Sequence, residues 1–297
     1  LGWHSTSGDS NSRSWGFAND SAAYGDFVLL RSDGQDNILD TPVLSFLKDS
    51  SATFRGNVSS SAASTGSFGT LKGSNFDIST GKNVIIGKGA GANVDAGSIN
   101  NVFIGSISGD ASLSTALENT GVGAGTLTTL TSGDYNTAIG SQALEALTTG
   151  ANNTAVGTYA LITLTTASHN VALGRKAGYD ATTASGSVFI GAEAGENTTT
   201  GNMNIAVGYQ ALRSGGSVTG DNNIAIGAFA GDALTSGKQN VFMGLNAGGA
   251  ATTGNYNIGI GVDVLGAAVT GDYNIVIGQS GGAAITAGQY NTAIGVS

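Results

Sequence analysis

From residue 83 onward the chain repeats one short pattern: Asn or Ser, then Val, Thr or Ile, a variable residue, an apolar residue, and Gly. This five-residue box occurs thirteen times, beginning at Asn83, Asn101, Asn119, Asn136, Asn153, Asn170, Ser187, Asn204, Asn223, Asn240, Asn257, Asn274 and Asn291. The spacings are 18, 18, 17 five times, 19, and 17 four times. A fixed period of this length marks a stack of like units, each too small to bury its own apolar face alone. Within each box the second and fourth residues, such as Thr137 and Ile139 or Ile224 and Ile226, share one face of a strand, because side chains alternate with period two. These bulky residues predict the core-facing side. The third residue points the other way and is never polar. A strand apolar on both faces is expected to be covered on both, the second time by another copy of the chain.

Gly ends every box and recurs three residues before the Asn in most coils, at Gly133, Gly150, Gly201, Gly220, Gly237, Gly254, Gly271 and Gly288. These positions predict tight corners, since Gly accepts a positive φ. One repeat is then one coil, with room for two short strands and two turns. Coils stacked at about 4.8 Å give a rod of roughly 60 Å. The fold class read from the pattern is all-β, a β-solenoid (parallel β-roll) of about 13 coils of 17 residues. The extra residues between Asn83 and Asn119 and between Asn204 and Asn223 are expected to bulge at turns, because an insertion within a strand would flip every later side chain. Asn136, Asn153, Asn170, Asn204, Asn223, Asn240, Asn257, Asn274 and Asn291 predict a structural ladder: amides at the same corner of successive coils can hydrogen-bond along the stack without any ligand. Tyr135, Tyr256, Tyr273 and Tyr290, each just before an Asn, predict a surface column.

Residues 1–82 lack the repeat. Residues 1–58 hold Trp3, Trp15 and strand-like runs at 26–31, 43–47 and 52–55, and read as a small β-rich region. Residues 59–82 read as a Ser/Gly-rich linker or crossover, and residues 83–297 as the shaft.

Composition narrows the function. With 40% hydrophobic residues the chain is too apolar for disorder, and 49 Gly in 297 residues is too few for collagen. The absence of Cys excludes disulfides and Cys-based zinc sites. A net charge of −9 and a pI near 4.4 argue against nucleic acid or an anionic membrane as the main partner. No run approaches the length of a membrane span, and the N-terminal residues lack the pattern of a signal peptide. Leu1 in place of Met suggests a processed product or a fragment.

Candidate chemistry is sparse. A nucleophile triad needs a His, and only His4 and His169 are present; His169 occupies the column of Tyr135 and Tyr256, which favours a surface role. Among Asp134, Glu145, Asp221, Asp232 and Asp272 a glycosidase pair is conceivable, yet Asp134, Asp221 and Asp272 recur as corner residues. The acidic calcium-binding nonapeptide, HExxH and P-loop patterns do not occur, so neither metal nor cofactor is expected, and the chain reads as a non-enzyme.

Boxes of the form N-[TVI]-A-[IV]-G, as at Asn136–Gly140, Asn223–Gly227 and Asn291–Gly295, resemble the head repeats of trimeric autotransporter adhesins. With spacers such as Leu147–Gly150 they also resemble repeats of bacteriophage tail fibres and tailspikes, and Ser51–Leu71 is similar to tail-fibre sequence upstream of such shafts. The resemblance implies a β-roll of three identical chains. Together with the apolar third column, which is expected to meet another copy, this makes Ala138, Ala155, Ala172, Phe189, Ala206, Ala225, Phe242 and Ala293 the expected trimer-facing residues. The period is longer than in the adhesins, and their coiled-coil stalk and membrane anchor are not seen, which favours the viral reading. A Ser at position 297 is compatible with the self-cleaving chaperone domain that follows some phage fibres.

The expected function is therefore a structural fibre or adhesin, a homotrimeric rod located in a virion tail fibre or at a cell surface. Its expected partners are its own copies and a host-surface glycan or protein receptor, with no nucleic acid and no membrane insertion. Two alternatives are an ice-binding solenoid, motivated by the pairs Thr148–Thr149, Thr165–Thr166, Thr182–Thr183 and Thr199–Thr200, and a tailspike enzyme degrading a polysaccharide.

Overall fold

The computed structural model describes five strands between residues 2 and 54, and residues 83–296 except Ala96 and Ala283. The segment expected as a linker, 59–82, lies outside the described residues, as does His4. Two compact units divide the chain, Leu1–Ser74 and Asn75–Ser297. In the first, β1 (Gly2–Trp3), β2 (Trp15–Ala18), β3 (Phe27–Ser32), β4 (Leu39–Phe46) and β5 (Ala52–Phe54) form an antiparallel sheet in chain order. The pairing of β3 with β4 skips Val43 and Asp40, either side of Thr41 and Pro42, the latter being the one residue of the chain with no backbone N–H to give.

In the second unit thirteen three-residue strands, from β6 (Val84–Ile86) to β18 (Thr292–Ile294), lie side by side in chain order in one parallel sheet. Every box residue pairs with its equivalent in the next coil: Thr154 with Val171, Ala155 with Ala172, Val156 with Leu173. The chain is a β-solenoid. Each coil has one strand rather than the two expected. The remainder of the coil runs through turns tied to the next coil by backbone hydrogen bonds, for example Thr148 N to Thr165 O at 2.8 Å and Gly178 N to Ala194 O at 2.9 Å. Left-handed residues break up the rest of the coil, whose far side is reduced to isolated parallel bridges such as Val94 with Leu113 and Thr198 with Val218. In the coil that starts at Asn136, Gln142, Leu144 and Asn152 take φ of 57°, 52° and 59°, the left-handed region. The extra residues of the longest coil bulge at Gly215 and Gly216, where an added Cβ would meet nothing within 4 Å, and Ile205 stays paired with Ile224.

The faces of the strand are the reverse of those expected. The third residue of the box points into the coil: Phe103, Ala138, Ala155, Ala172, Phe189, Ala206, Ala225 and Phe242 are fully buried within the single chain. They cannot face a neighbouring copy. Ala293 shares their direction through its pairing with Val276 and is exposed in β18, the last strand of the sheet. The second and fourth residues face outward; Ile139 is 40% and Ile226 36% exposed. The cause is space. The coil interior is one side chain thick, and its far wall is already filled by Leu127, Leu144, Leu161 and Leu212, so the strand can offer only a small residue inward.

Volume is conserved across that interior. The third box residue faces the residue six positions later. Where the first is Ala or Gly the second is often Leu, as in Ala138/Leu144, Ala155/Leu161, Ala206/Leu212 and Gly259/Leu265. Where the first is Phe the second is Gly, as in Phe103/Gly109, Phe189/Gly195 and Phe242/Gly248. A Cβ added at Gly195 would lie 2.2 Å from the Phe189 ring, and one at Gly248 2.5 Å from the Phe242 ring. Ala172/Gly178 obeys the same rule through the next coil, because the Phe189 ring reaches within 2.6 Å of a Cβ placed on Gly178.

The corners are closed by Gly and Asn. At Gly157, φ is 141° and a Cβ would lie 2.3 Å from the carbonyl oxygen of Gly174, the equivalent Gly one coil on. Asn153 shows the ladder. Its backbone N and Nδ2 both donate to Asn136 Oδ1 (3.0 Å each), its Nδ2 also donates to the Ala167 carbonyl (2.9 Å), and its Oδ1 accepts from Asn170 N and Nδ2 (3.0 Å each). The same bonds link Asn119 to Asn136, Asn204 to Asn223, and each later Asn to the next through Asn291. Ser187 is the one break: its N donates to Asn170 Oδ1 and its Oγ accepts from Asn204 N at 3.2 Å, but it has no amide to donate.

Two outcomes follow. Phe189→Ala should cost about 3–5 kcal/mol by denaturant unfolding. Adding Gly195→Leu should return at least about 1 kcal/mol of it in a double-mutant cycle, since Leu144 and Leu212 hold the same column at a φ of 52°. Asn153→Ala should cost about 1–3 kcal/mol by leaving the buried Asn170 N–H unpaired, Asn153→Ser less, as Ser187 indicates, and Asn153→Asp the most, because it buries a charge.

Candidate functional site

Three outward surfaces carry the features a partner could read. The first is the bare face of the parallel sheet. Its thirteen strands present Val, Ile or Thr at the second box position and Val, Ile, Leu or Met at the fourth, with no charged residue among the 26. Parallel sheets are ordinarily covered on both faces, and here only the inner face is.

The second surface is a network of charges on three successive coils. Glu193 and Glu196, 13% and 11% exposed, sit between cations of the coil before and the coil after. Arg175 pairs with Glu193, Lys176 Nζ is 3.0 Å from Glu196, and Arg213 Nε is 3.1 Å from Glu196 and 3.9 Å from Glu193. Gln210 Nε2 donates to Glu193 at 2.7 Å. Aromatic rings flank the network: Tyr159 meets Tyr179 edge to face at 6.3 Å, Tyr209 meets Phe229 at 5.4 Å, and Lys176 Nζ lies 4.9 Å from the Tyr179 ring centre. The central coil of this network begins at Ser187, where the Asn ladder loses a rung, and it also contains the Thr198 hydroxyl, buried with no hydrogen-bond partner. The ion pairs clamp that coil from both sides. The Gln210 hydrogen bond, together with Arg175, holds the Glu193 carboxyl below the usual glutamate range. Burial pushes the Asp180 carboxyl up, aided by Glu196, and burial likewise raises Asp232, whose Oδ1 has no partner.

The third surface runs along the corner before each Asn. Tyr256, Tyr273 and Tyr290 stack with ring centres 4.7 and 5.0 Å apart and planes within 2°. Their residues are left-handed, at φ of 57°, 59° and 57°, as are Tyr135 and His169. Tyr135 and His169 occupy the same column, exposed and separated by Asn152. One position earlier the acidic corner residues bond backbone amides of the preceding coil: Asp134 Oδ1 takes Leu117 N, Asp221 takes Asn202 N, Asp272 takes Asn255 N. Asp134, Asp221 and Asp272 are thus committed to corners, and Glu145 bonds Gln142 at 2.7 Å. The inner members of the Thr pairs are also engaged: Thr148, Thr165 and Thr182 hydroxyls donate to carbonyls of the next coil at 3.0–3.1 Å, leaving Thr149, Thr166 and Thr183 as a single exposed rank.

Sequence reading missed the charge network because its members lie up to 38 residues apart and in different columns of the repeat. The signal available was that Arg175, Glu193 and Arg213 fall in neighbouring coils once the 17-residue period is drawn out.

The raised Asp232 gives a signed pH test. An acid whose folded pKa lies above its unfolded value loses stability as pH rises through the folded value. Asp232→Asn should therefore raise the Tm at pH 7, with the difference vanishing near pH 3, where the carboxyl is protonated in both states. Glu193→Gln should do the opposite, lowering the Tm at pH 7 and flattening the loss on acidification.

Compared with known proteins, the chain matches no family model, no curated protein and no solved structure.

Proposed function

We propose that the protein is a structural fibre or adhesin: a rod that associates with copies of itself through the bare sheet face and holds a host-binding element away from a particle, as in a phage tail fibre. The observation that carries this reading is the uncharged apolar face along the full set of thirteen strands. Its length of about 60 Å and width of about 10 Å give some 600 Å² per chain, or near 1,800 Å² over three chains, within the range of stable interfaces. A partner that fills it must match side-chain ridges every 4.8 Å over its whole length. Another copy of the chain has that period by construction. Three copies is the number the family resemblance implies. A virion or cell-surface location and a glycan or protein receptor belong to the same proposal, the Tyr column and the flank with Tyr209 being surfaces left open for contact.

The inverted faces make the test sharper than the sequence alone allowed. Sedimentation or mass photometry of the wild type should give a species near 88 kDa, three times the chain mass of 29.2 kDa. Ile226→Glu with Ile260→Glu, on the outward column, should give folded monomers by circular dichroism, because a charge buried in the interface costs several kcal/mol. Ala225→Glu, pointing into the coil, should unfold the chain instead. A wild type that stays monomeric at 29.2 kDa would refute the assembly. Oligosaccharide release from a host envelope would favour the tailspike-enzyme alternative, and thermal hysteresis the ice-binding one.

A further inference from the structure

A stack of coils has a problem that a compact interface lacks. Because the outward face repeats every coil, two copies pressed together could slide by one, two or three coils and keep most of their apolar contacts. Sliding copies have exposed ends, and staggered contacts of this kind propagate into open filaments rather than closing. Something must set the register, and the outward columns are nearly uniform. The fourth box position is Ile, Val, Leu or Met throughout. The second position is not uniform: it is Val at residues 84 and 102, Thr at 120, 137 and 154, then Val or Ile at every coil from 171 to 275, and Thr again at 292.

Thr120, Thr137 and Thr154 are consecutive coils, paired directly in the sheet. Each is half-buried already in the single chain, and none of the three hydroxyls has a hydrogen-bond partner within it. The half-buried Thr hydroxyls of the turns at Thr131, Thr148, Thr165 and Thr182, by contrast, each donate to a carbonyl of a neighbouring coil. The three form the one run of consecutive hydroxyls in a face that is apolar apart from Thr292 in its last strand, and they lie off its centre toward the N-terminal end.

We propose that this band is the register key of the assembly: in aligned copies the hydroxyls of Thr120, Thr137 and Thr154 meet their own counterparts across the interface and hydrogen-bond to one another. This rests on the self-association reading and specifies it. A slip by two coils places Thr137 and Thr154 of one copy opposite Val171 and Val188 of the other, and sets Val84 and Val102 against the partner band. Hydroxyls there are buried without partners, which is costly, whereas Val at the same positions would be indifferent to the slip. A single polar layer plays the same part where helices pair through an apolar seam. The off-centre position also rejects antiparallel copies, because the band of one chain would fall on Ile224, Val241 or Ile258 of another.

The chain has no Cys, so introduced thiols report alignment without background. Chains carrying Val156→Cys alone, and a mixture of Val156→Cys with Ile190→Cys chains, are oxidised under dilute conditions. Aligned copies bring Val156 to Val156, while Val156 and Ile190 sit two coils or about 9.6 Å apart along the rod, beyond disulfide reach. In the wild-type background the same-residue bond should dominate. With Thr120→Val, Thr137→Val and Thr154→Val together, the mixed Val156/Ile190 bond should rise at least fivefold and electron micrographs should show lengthened or staggered rods. The triple Thr→Ser variant, which keeps the hydroxyls, should stay aligned. If the triple Val variant remains as aligned as the wild type, the band does not set register, and the assembly reading survives. If the wild type forms neither bond and sediments as a monomer, the assembly fails and the register proposal with it.

Discussion

The coil interior admits one layer of side chains, and most of the structure follows from that limit. Leu on the far wall leaves only Ala or Gly on the strand, and a Phe on the strand empties the far wall to Gly. Corners so tight leave no room for a Cβ where Gly157 and its equivalents abut the next carbonyl, and no room for water at the buried corner amides. The Asn ladder supplies from the neighbouring coil the hydrogen bonds that water cannot. No coil is complete without the coils on either side, so cooperativity along the stack substitutes for a thick core.

The same limit explains why the β-branched residues face outward. A strand normally turns its bulkiest apolar residues to the core, and that preference is the ground for reading Ile139 and Ile226 as buried. Here the core is too thin to take them. They are displaced to the outer face, where they form a continuous apolar strip that a lone chain leaves wet. The size of the inner residues and the stickiness of the outer face are two sides of one packing constraint.

The period, the parallel stacking, the register and the Asn ladder were legible in the sequence because each is a one-dimensional property: a residue type returning every 17 positions. The direction of the box was not. Alternation distinguishes two faces without saying which is inward, and the deciding fact, the Leu column across the coil, lies six residues away in a turn that carries no strand signal. The single strand per coil was also hidden, since left-handed backbone at Gln142 and Leu144 leaves no mark on residues that adopt it against their usual preference. The charge clamp around Glu193 and Glu196 joins columns that become neighbours only when the corner geometry is known.

Those left-handed corners have a consequence for how such a surface can change over time. In the column before each Asn, residues as different as Glu118, Tyr135, His169, Met203 and Gln239 share a φ between 55° and 64°. The backbone pays a similar conformational penalty for each of them, about 1–2 kcal/mol, and their side chains all point away from the core. Substitution among them is therefore close to free of folding consequences, and only replacement by Gly, or to a lesser degree Asn, would relieve strain. The solenoid thus separates a rigid inner text, written in Ala, Leu, Phe, Gly and Asn, from an outer column that can be rewritten one coil at a time without disturbing the stack.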